Sequence, residues 1–269
     1  MTSAPRRLTD RTALSRHRAR AQDPFLHRLA RDEAQDRLSL VNRTFTKIAV
    51  VTPFPQVWEG ADAHIVPDDD TLALDPQAHD CIIHAMALHW ADDPVGQLIQ
   101  CHRALQPDGL LLAILPGGRS FHELRSVLTQ AESEILGGLS PRVLPMADIR
   151  DLGALLQRVG LALPVADADT LTLTYRDLAH MARDLRDSGE SNALDARLRT
   201  ATPRTVFARA AALYADTFGT ADGRLPATLD LITLTGWAPG PGQPRPLRPG
   251  TATERLAHAL NSAETPLPD

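Results

Sequence analysis

The stretch HDCIIHAMALHWADDPVGQLIQCHRALQPDGLLLAILPGG, residues 79–118, decides the fold class. Its first part, His79–His84, is an apolar run with polar ends and predicts a buried strand. Asp93, with Pro94 at the first helical position, begins a predicted helix over Val95–Leu105 that ends at a Pro-Asp-Gly turn. Leu110–Leu115 is a fully apolar strand. Strand, helix and strand in this order predict two parallel strands joined by a right-handed crossover.

The flanking sequence extends this unit into an α/β domain. Upstream, Ile48–Val51 is a short buried strand and Asp62–Val66 a weaker one. Downstream, Leu171–Tyr175 and Leu229–Trp237 predict an antiparallel pair at one edge of a mostly parallel sheet. Ser120, with Glu123 three residues on, predicts a capped helix start. Further helices are expected at about 26–41, 120–136, 148–159, 176–187 and 203–217.

Composition narrows the class of protein. The chain has 269 residues, 43% of them apolar and 4% aromatic, and a net charge of −5. It is large enough for a sizeable core, whereas few aromatic residues and a negative charge argue against a nucleic-acid partner. Cys81 and Cys101 lie in apolar patterns, so we expect reduced, buried thiols in a cytoplasmic protein. A single lysine, Lys47, among many arginines is typical of a GC-rich bacterial genome.

Both ends of the chain differ from the centre. The basic segment MTSAPRRLTDRTALSRHRARAQDPF, residues 1–25, lacks the apolar stretch of a secretory signal. Its arginines are similar to those of an organellar transit peptide, but interspersed acidic residues favour a solvated amphipathic helix. Peripheral contact with a membrane through Arg6–Arg20 is a weaker alternative. Beyond Ala238, a proline-rich linker, a short helix over Thr253–Asn261 and a disordered tail are expected.

Several segments together resemble one family. They are DRTALSRHRARA, ALHWADDPVGQLIQCHRALQPDGLLLAILPGG, HELR, GESNAL and LTGW. The chain resembles class I S-adenosylmethionine (SAM) methyltransferase-like proteins, in the branch of the mitochondrial complex I assembly factor that acts as a protein-arginine hydroxylase. The malonyl-carrier-protein methyltransferase BioC is a more distant relative. The resemblance implies a Rossmann-like methyltransferase fold with helical lid insertions, SAM as cofactor, and a subunit of respiratory complex I as protein partner.

The resemblance suggests three regions. Residues 1–43 are N-terminal basic and amphipathic helices, and residues 44–240 are the methyltransferase-like domain, with lid helices at about 119–160 and 176–217. Residues 241–269 are the proline-rich linker and tail.

The resemblance lapses directly after the first strand. Family members have there a glycine-rich turn, a helix, a second strand ending in an acid that holds the ribose, another helix, and then the third strand. Here the turn is Thr52-Pro53-Phe54-Pro55, and ten residues separate Val51 from Asp62. At about 1.5 Å per helical residue and 3.3 Å per strand residue, ten residues cannot build those three elements. We therefore expect loss of normal SAM binding; an active enzyme with an altered SAM site is the alternative.

The following residues are candidates for binding the cofactor, and only if SAM binds. Asp68 and Asp69 follow the strand that corresponds to the third strand of the family, where an acceptor for the adenine amine is expected. Gly117 and Gly118 follow the strand Leu110–Leu115, at the edge where α/β sheets bind ligands.

Catalytic candidates come from the same edge of the sheet. His89 and Trp90 follow a strand end, and Glu123 opens the next helix but one. For each residue the alternative is a structural role. Trp90 would pack under the following helix, His89 would cap that helix, and Glu123 would be an ordinary acidic helix start. His84 and His89 match no common zinc or iron spacing, so no metal is predicted. Candidates for contact with a partner are Glu190 and Asn192, in a turn-rich segment that is otherwise expected to be a solvated loop.

Overall fold

The computed structural model describes residues 7–243 and Ser262. Arg6 and the predicted helix over Thr253–Asn261 lie outside the described residues. Six strands, seven α-helices and two short 3₁₀ helices are present in the described part. In chain order they are α1 Arg11–Arg18, α2 Phe25–Leu40, β1 Ile48–Val51, the 3₁₀ helix Pro55–Trp58, β2 Ala63–Val66, β3 His79–Ala85, the 3₁₀ helix Leu88–Trp90, α3 Pro94–Ala104, β4 Leu105–Gly117, α4 His122–Leu136, α5 Ile149–Arg158, β5 Ala162–Tyr175, α6 Leu178–Asp187, α7 Arg204–Phe218 and β6 Leu225–Trp237.

The strands form one mixed sheet in the order β2-β1-β3-β4-β6-β5. The first four are parallel, whereas β6 is antiparallel to both β4 and β5. This confirms the predicted fold class, including the antiparallel edge pair. Because β2 pairs directly with β1, no strand lies between them in the described chain. The connection between them contains only the 3₁₀ helix Pro55–Trp58, as the ten-residue spacing predicts.

Helices cover both faces of the sheet and create a core on each side. One core lies under α2, α4, α6 and α7, and the other lies under α3 and α5. Strand β3 is buried at every position, which explains why its sequence is a continuous apolar run. Cys81 and Cys101 are buried free thiols, and burial raises the pKa of each to about 12. Among the described helices none has the length and apolar character that crossing a bilayer requires.

The prediction for the N-terminal region was wrong in one respect. The segment forms two helices, α1 and α2, as expected for residues 1–43, but α1 is not solvated all round, because one of its faces is buried. Ala13 and Leu14 are buried against Trp90, Ala193 and Leu194. Helix α1 therefore covers the carboxyl edge of the sheet.

The start of α4 also differs from its prediction. The residue that caps the helix is Phe121, in a left-handed conformation with φ 52°, and no side chain caps the helix. Ser120 Oγ instead donates to the carbonyl oxygen of Gly117 at 2.7 Å and accepts from the backbone N–H of Asp230 at 3.0 Å. The serine joins β4 to β6, so the capping-box pattern failed because a neighbouring strand competed for its hydroxyl.

Candidate functional site

The turn after β1 offers no backbone donor at positions 52–55. The N–H of Thr52 donates to the carbonyl oxygen of Val66 at 2.9 Å, which extends the pairing of β1 with β2. The N–H of Phe54 donates to Thr52 Oγ1 at 3.2 Å. Pro53 and Pro55 have no N–H. Backbone N–H groups that point at an approaching ligand, which glycine-rich turns supply, are absent from these four residues.

Phe54 fills the space above this turn. Its side chain is 3% exposed, and its ring centroid lies 4.3 Å from that of His27 in α2. A Cβ built on Gly189 would lie 2.8 Å from Phe54 Cζ, so the 189–190 backbone packs directly on the ring. The ring therefore fills the space between the turn, α2 and the 189–190 backbone.

Asp68 is held by α1. Its carboxylate oxygens accept from Arg18 Nη1 at 2.9 and 2.8 Å, and Arg11 donates to its side chain at 3.3 Å and to its carbonyl oxygen. The side chains of Asp68 and Arg18 are 8% and 10% exposed. Asp69, by contrast, has a side chain that is 72% exposed. The two predicted cofactor acids thus differ: one is committed to an internal ion pair and the other faces solvent.

These groups border an open cavity of about 720 Å³ between α1, the turn after β1 and the segment after β2. Its lining includes Arg11, Arg18, Thr52, Phe54, Asp68 and Asp69. The lining carries two arginines and two aspartates, so its formal charges balance.

The segment before α1 is hydrogen-bonded to the loop after β3 and to the segment around residue 194. Asp92 Oδ1 accepts from the N–H groups of Leu8 and Thr9 at 2.8 and 3.0 Å, and Thr9 forms an isolated antiparallel bridge with Leu194. Asp10 caps α1 by accepting from the N–H of Ala13. This places three segments that carried the family resemblance, near residues 10, 90 and 190, in one layer.

A second, mostly apolar cavity of about 320 Å³ lies between the end of β3, α4, α6 and the start of α7. His89 and Trp90 line it, as their position after a strand end predicts, and so does Glu190. The apolar part of its lining includes Met86, Leu124, Leu128, Met146, Leu178 and Phe207.

Glu190 is the centre of a buried polar cluster at the floor of this cavity. Trp90 Nε1 donates to Glu190 Oε2 at 2.7 Å, and His89 Nε2 lies 3.1 Å from the same oxygen. His27 Nε2 lies 3.2 Å from Glu190 Oε1. The Glu190 side chain is 8% exposed, so the expectation of a solvated loop was wrong for this residue.

The cluster keeps this carboxylate ionised. Burial opposes ionisation, but the charge of His89 and the imidazole nitrogens of His89 and His27 that lie beside the carboxylate outweigh it and hold the pKa of Glu190 well below its usual range. Burial lowers the pKa of His27 in turn. A carboxylate surrounded by nitrogen donors is suited to orienting His89 and Trp90 and to keeping a negative charge at the cavity floor.

The two predicted glycines pack against β6 and line neither cavity. A Cβ on Gly117 would lie 2.2 Å from Ile232 Cδ1, and one on Gly118, with φ 52°, would lie 2.5 Å from Asp230 Oδ2. Both positions need glycine for a close approach between strands.

Glu123 is also bound to β6. Its carboxylate accepts from the backbone N–H of Thr228 at 3.1 Å and from the Thr228 hydroxyl, and the residue is 5% exposed. It does not line the cavity of His89 and Trp90. Its role in this geometry is to join α4 to β6, which differs from the acidic helix start that was the structural alternative.

One acidic cluster among the described residues has the spacing of a metal site. It comprises Glu33, Asp167 and Asp169. Arg37 lies among these carboxylates, donating from Nη1 to Asp167 at 2.7 Å and contacting Asp169 at 3.3 Å. Arg37 pairs with all three carboxylates, so the cluster forms an ion-pair network joining α2 to β5.

Comparison with known proteins matches this architecture. A family described as "Methyltransferase domain" matches residues 40–113, from the end of α2 into β4. The chain is 33% identical over 193 residues to "Arginine-hydroxylase NDUFAF5, mitochondrial" of Danio rerio, covering 72% of this chain and 60% of that protein. It is 35% identical over 182 residues to the malonyl-[acyl-carrier protein] O-methyltransferase of Xylella fastidiosa (strain M23), covering 68% and 59%.

The chain is a member of the class I methyltransferase-like family. It spans between 44% and 63% of the length of the curated relatives it matches. A solved phosphoethanolamine N-methyltransferase 2 from Haemonchus contortus, in complex with S-adenosyl-L-methionine, overlaps 77% of this chain and 52% of that one, at 10% identity and a TM-score of 0.42.

Three residues of the N-terminal helices, which line a cavity or contact a residue that lines one, escaped prediction as site residues. They are Arg11, Arg18 and His27. Each is on a helix whose sequence shows only an amphipathic or basic pattern, and each meets a partner at least 50 positions away: Asp68 for the arginines and Glu190 for the histidine. The available signal was the family-like segment DRTALSRHR, which contains both arginines.

Proposed function

We propose that this chain is a methyltransferase-fold protein that has lost normal SAM binding and acts on, or chaperones, a protein partner. By resemblance to its NDUFAF5 relatives, the partner is a subunit of respiratory complex I during assembly, and the site of action is the cytoplasm. The observation that carries the proposal is the turn after β1. Its four residues 52–55 have no N–H available to a ligand, and Phe54 fills the adjoining space.

The state of Asp68 supports the same proposal. An adenosyl ligand that used this carboxylate as an acceptor would compete with Arg18 and Arg11, which already donate to it, and displacing Arg18 would break a pair whose arginine side chain is 10% exposed. Separating a buried ion pair leaves charges without partners and costs several kcal/mol, roughly 3–5. The ligand has no backbone donors at residues 52–55 to offset that cost.

Isothermal titration calorimetry tests the proposal on the full chain. SAM and S-adenosylhomocysteine are titrated separately, with ATP as a control ligand that shares the adenosine group. We expect no specific heat from any of the three. A dissociation constant for SAM or S-adenosylhomocysteine tighter than about 100 µM, on the order of −5.5 kcal/mol, refutes the proposal.

A second candidate is an active SAM-dependent methyltransferase or arginine hydroxylase. The observation that favours it is the cavity of about 320 Å³, in which His89, Trp90 and an ionised Glu190 converge. Buried, charge-paired acids in a cavity are frequent at catalytic sites. Mass spectrometry of the complex I subunit from a strain that lacks this gene distinguishes the hydroxylase: an arginine that loses its modification supports it, and an unchanged subunit excludes it.

A further inference from the structure

The apolar cavity of His89 and Trp90 has three charged side chains in its lining, besides the imidazole of His89: Arg142, Arg186 and Glu190. Two of these charges are already compensated inside the protein. Glu190 is surrounded by His27, His89 and the indole N–H of Trp90. Its negative charge is thus unavailable for attracting a second cation without breaking these contacts.

Arg142 is compensated on its other side. Its Nη2 lies 2.6 Å from Glu132 Oε1, with the two side chains 13% and 3% exposed. Glu132 also accepts from the N–H of Ser140 at 2.9 Å, which fixes the pair between α4 and the loop that follows it. Because the opposite charges of this buried pair offset each other, Arg142 exerts little electrostatic attraction on groups outside the pair.

Arg186 is the exception. It lies in the last turn of α6, is exposed, and makes no ion pair within 4.0 Å with the described residues. Across the mouth, Phe207 of α7 lines the same cavity and is 44% exposed. The lining of this cavity therefore includes both an uncompensated cation and an exposed aromatic ring, on a chain whose net charge is −5.

We propose that this mouth docks a segment of a partner protein in which acidic residues flank an apolar side chain. The apolar side chain enters the cavity past Phe207, and Arg186 pairs with an adjacent carboxylate. The inference rests on the proposed function in that it takes the partner to be a protein. Charge complementarity decides the class of segment, because Arg186 repels a basic segment and leaves an uncharged one without a polar anchor.

The size of the cavity agrees with one or two side chains. At about 320 Å³ it lies at the lower end of the roughly 300–1,000 Å³ range of ligand sites. A peptide that inserts an apolar anchor and pairs a carboxylate at the rim uses both features of the mouth, as acidic-motif recognition by arginine does elsewhere.

The test uses a random dodecapeptide display library, panned on the full-length protein and on two variants, Arg186→Glu and Arg183→Glu. Arg183 is the matched control because it is exposed on the same helix and does not line the cavity. We expect the wild type and Arg183→Glu to enrich peptides with Asp or Glu beside Leu, Ile or Phe. Arg186→Glu should lose that acidic preference.

One enriched peptide is then labelled and titrated by fluorescence anisotropy at two salt concentrations. At low salt we expect Arg186→Glu to weaken binding about tenfold. High salt should weaken binding to the wild type and narrow the difference between the two proteins, because the pairing is at an exposed rim. Phe207→Ala should weaken binding at both salt concentrations. Circular dichroism of each variant verifies folding.

Two results overturn the inference. One is enrichment without acidic preference, or no enrichment at all. The other is an acidic preference that Arg186→Glu and Phe207→Ala leave unchanged, which places peptide binding elsewhere and leaves the proposed function standing. SAM calorimetry decides the proposed function separately, because these peptides are selected without any adenosyl ligand.

Discussion

Arg18 Nη1 donates to both carboxylate oxygens of Asp68, at 2.9 and 2.8 Å, and so joins the N-terminal helix to the segment after β2. The two side chains are 10% and 8% exposed. This contact brings a basic helix, whose sequence suggests a solvated segment, onto the carboxyl edge of the sheet. It also uses the acid that the sequence offers as a cofactor acceptor.

Replacing Asp68 with Asn should therefore destabilise the protein. Removing one partner of a fully buried pair costs roughly 3–5 kcal/mol, but Asn keeps an acceptor oxygen, so we expect about 2 kcal/mol. Urea denaturation measures the difference in the free energy of unfolding. Asp69→Asn is the control, because its side chain is 72% exposed, and should change stability by less than about 0.5 kcal/mol. Equal effects of the two variants would show that the Arg18 pair does not hold α1.

Truncating Phe54 should loosen the packing between the turn after β1 and α2. The ring is 3% exposed and packs on His27, so Phe54→Ala should cost about 3 kcal/mol in the free energy of unfolding. Phe207→Ala, at a residue 44% exposed, should cost about 0.5 kcal/mol. Thermal unfolding of both variants makes the comparison. A Phe54→Ala protein as stable as the wild type would mean that the ring is not a packing element.

Comparing alanine substitutions at Gly189 and Gly223 distinguishes the cost of backbone strain from the cost of steric contact. Both have positive φ, 78° and 76°, but a Cβ on Gly189 would meet Phe54 Cζ at 2.8 Å, and one on Gly223 would meet nothing within 4 Å. Alanine at either position should cost about 1 kcal/mol in left-handed strain. Gly189→Ala should cost about 2 kcal/mol more through overpacking. Chemical denaturation of both variants gives the difference, and equal losses would place Phe54 away from Gly189.

The buried Glu190 should make stability depend on pH. Its folded pKa lies well below the ordinary value of 4.5, so its ionised form stabilises the fold above about pH 4.5, and this stabilisation is lost as pH falls towards the folded value. Burial lowers the pKa of His27 from 6.5, which also makes stability fall as pH drops below that value.

Glu190→Gln isolates the contribution of the carboxylate. We expect a loss of about 2 kcal/mol at pH 7, typical of hydrogen bonds to a charged group, and a flatter decline of stability below pH 4.5 than in the wild type. Urea unfolding between pH 3.5 and 7 provides both quantities. Glu59→Gln, at an exposed position, is the control and should follow the wild-type curve. Parallel curves for Glu190→Gln and wild type below pH 4.5 would contradict the assignment.

Local pattern was sufficient for the framework of the molecule. The strands β1 and β3 and residues 110–117 of β4 are mostly apolar runs that are buried on both faces, and such runs can be recognised without knowing their neighbours. Asp93 and Asp148 cap α3 and α5 where their helix patterns begin. His89 and Trp90 were predictable as cavity residues because the carboxyl ends of parallel strands share one edge.

The errors arose where a distant segment competed with a local rule. Ser120 and Glu123 have the spacing of a capping box, but β6 binds both side chains. Glu190 lies in a polar turn that predicts solvent exposure, yet Trp90, 100 positions earlier, donates to it. No local periodicity encodes a contact of that separation.

The sequence by itself determined the order of strands and helices and the donor-poor turn 52–55, because hydrophobic period, chain length and the missing N–H of proline are properties of neighbouring residues. Only the tertiary structure decided which charges are buried and with which partners. Arg18 with Asp68 and His27 with Glu190 meet across different elements, and the free energy of a buried charge depends on the groups that folding brings beside it.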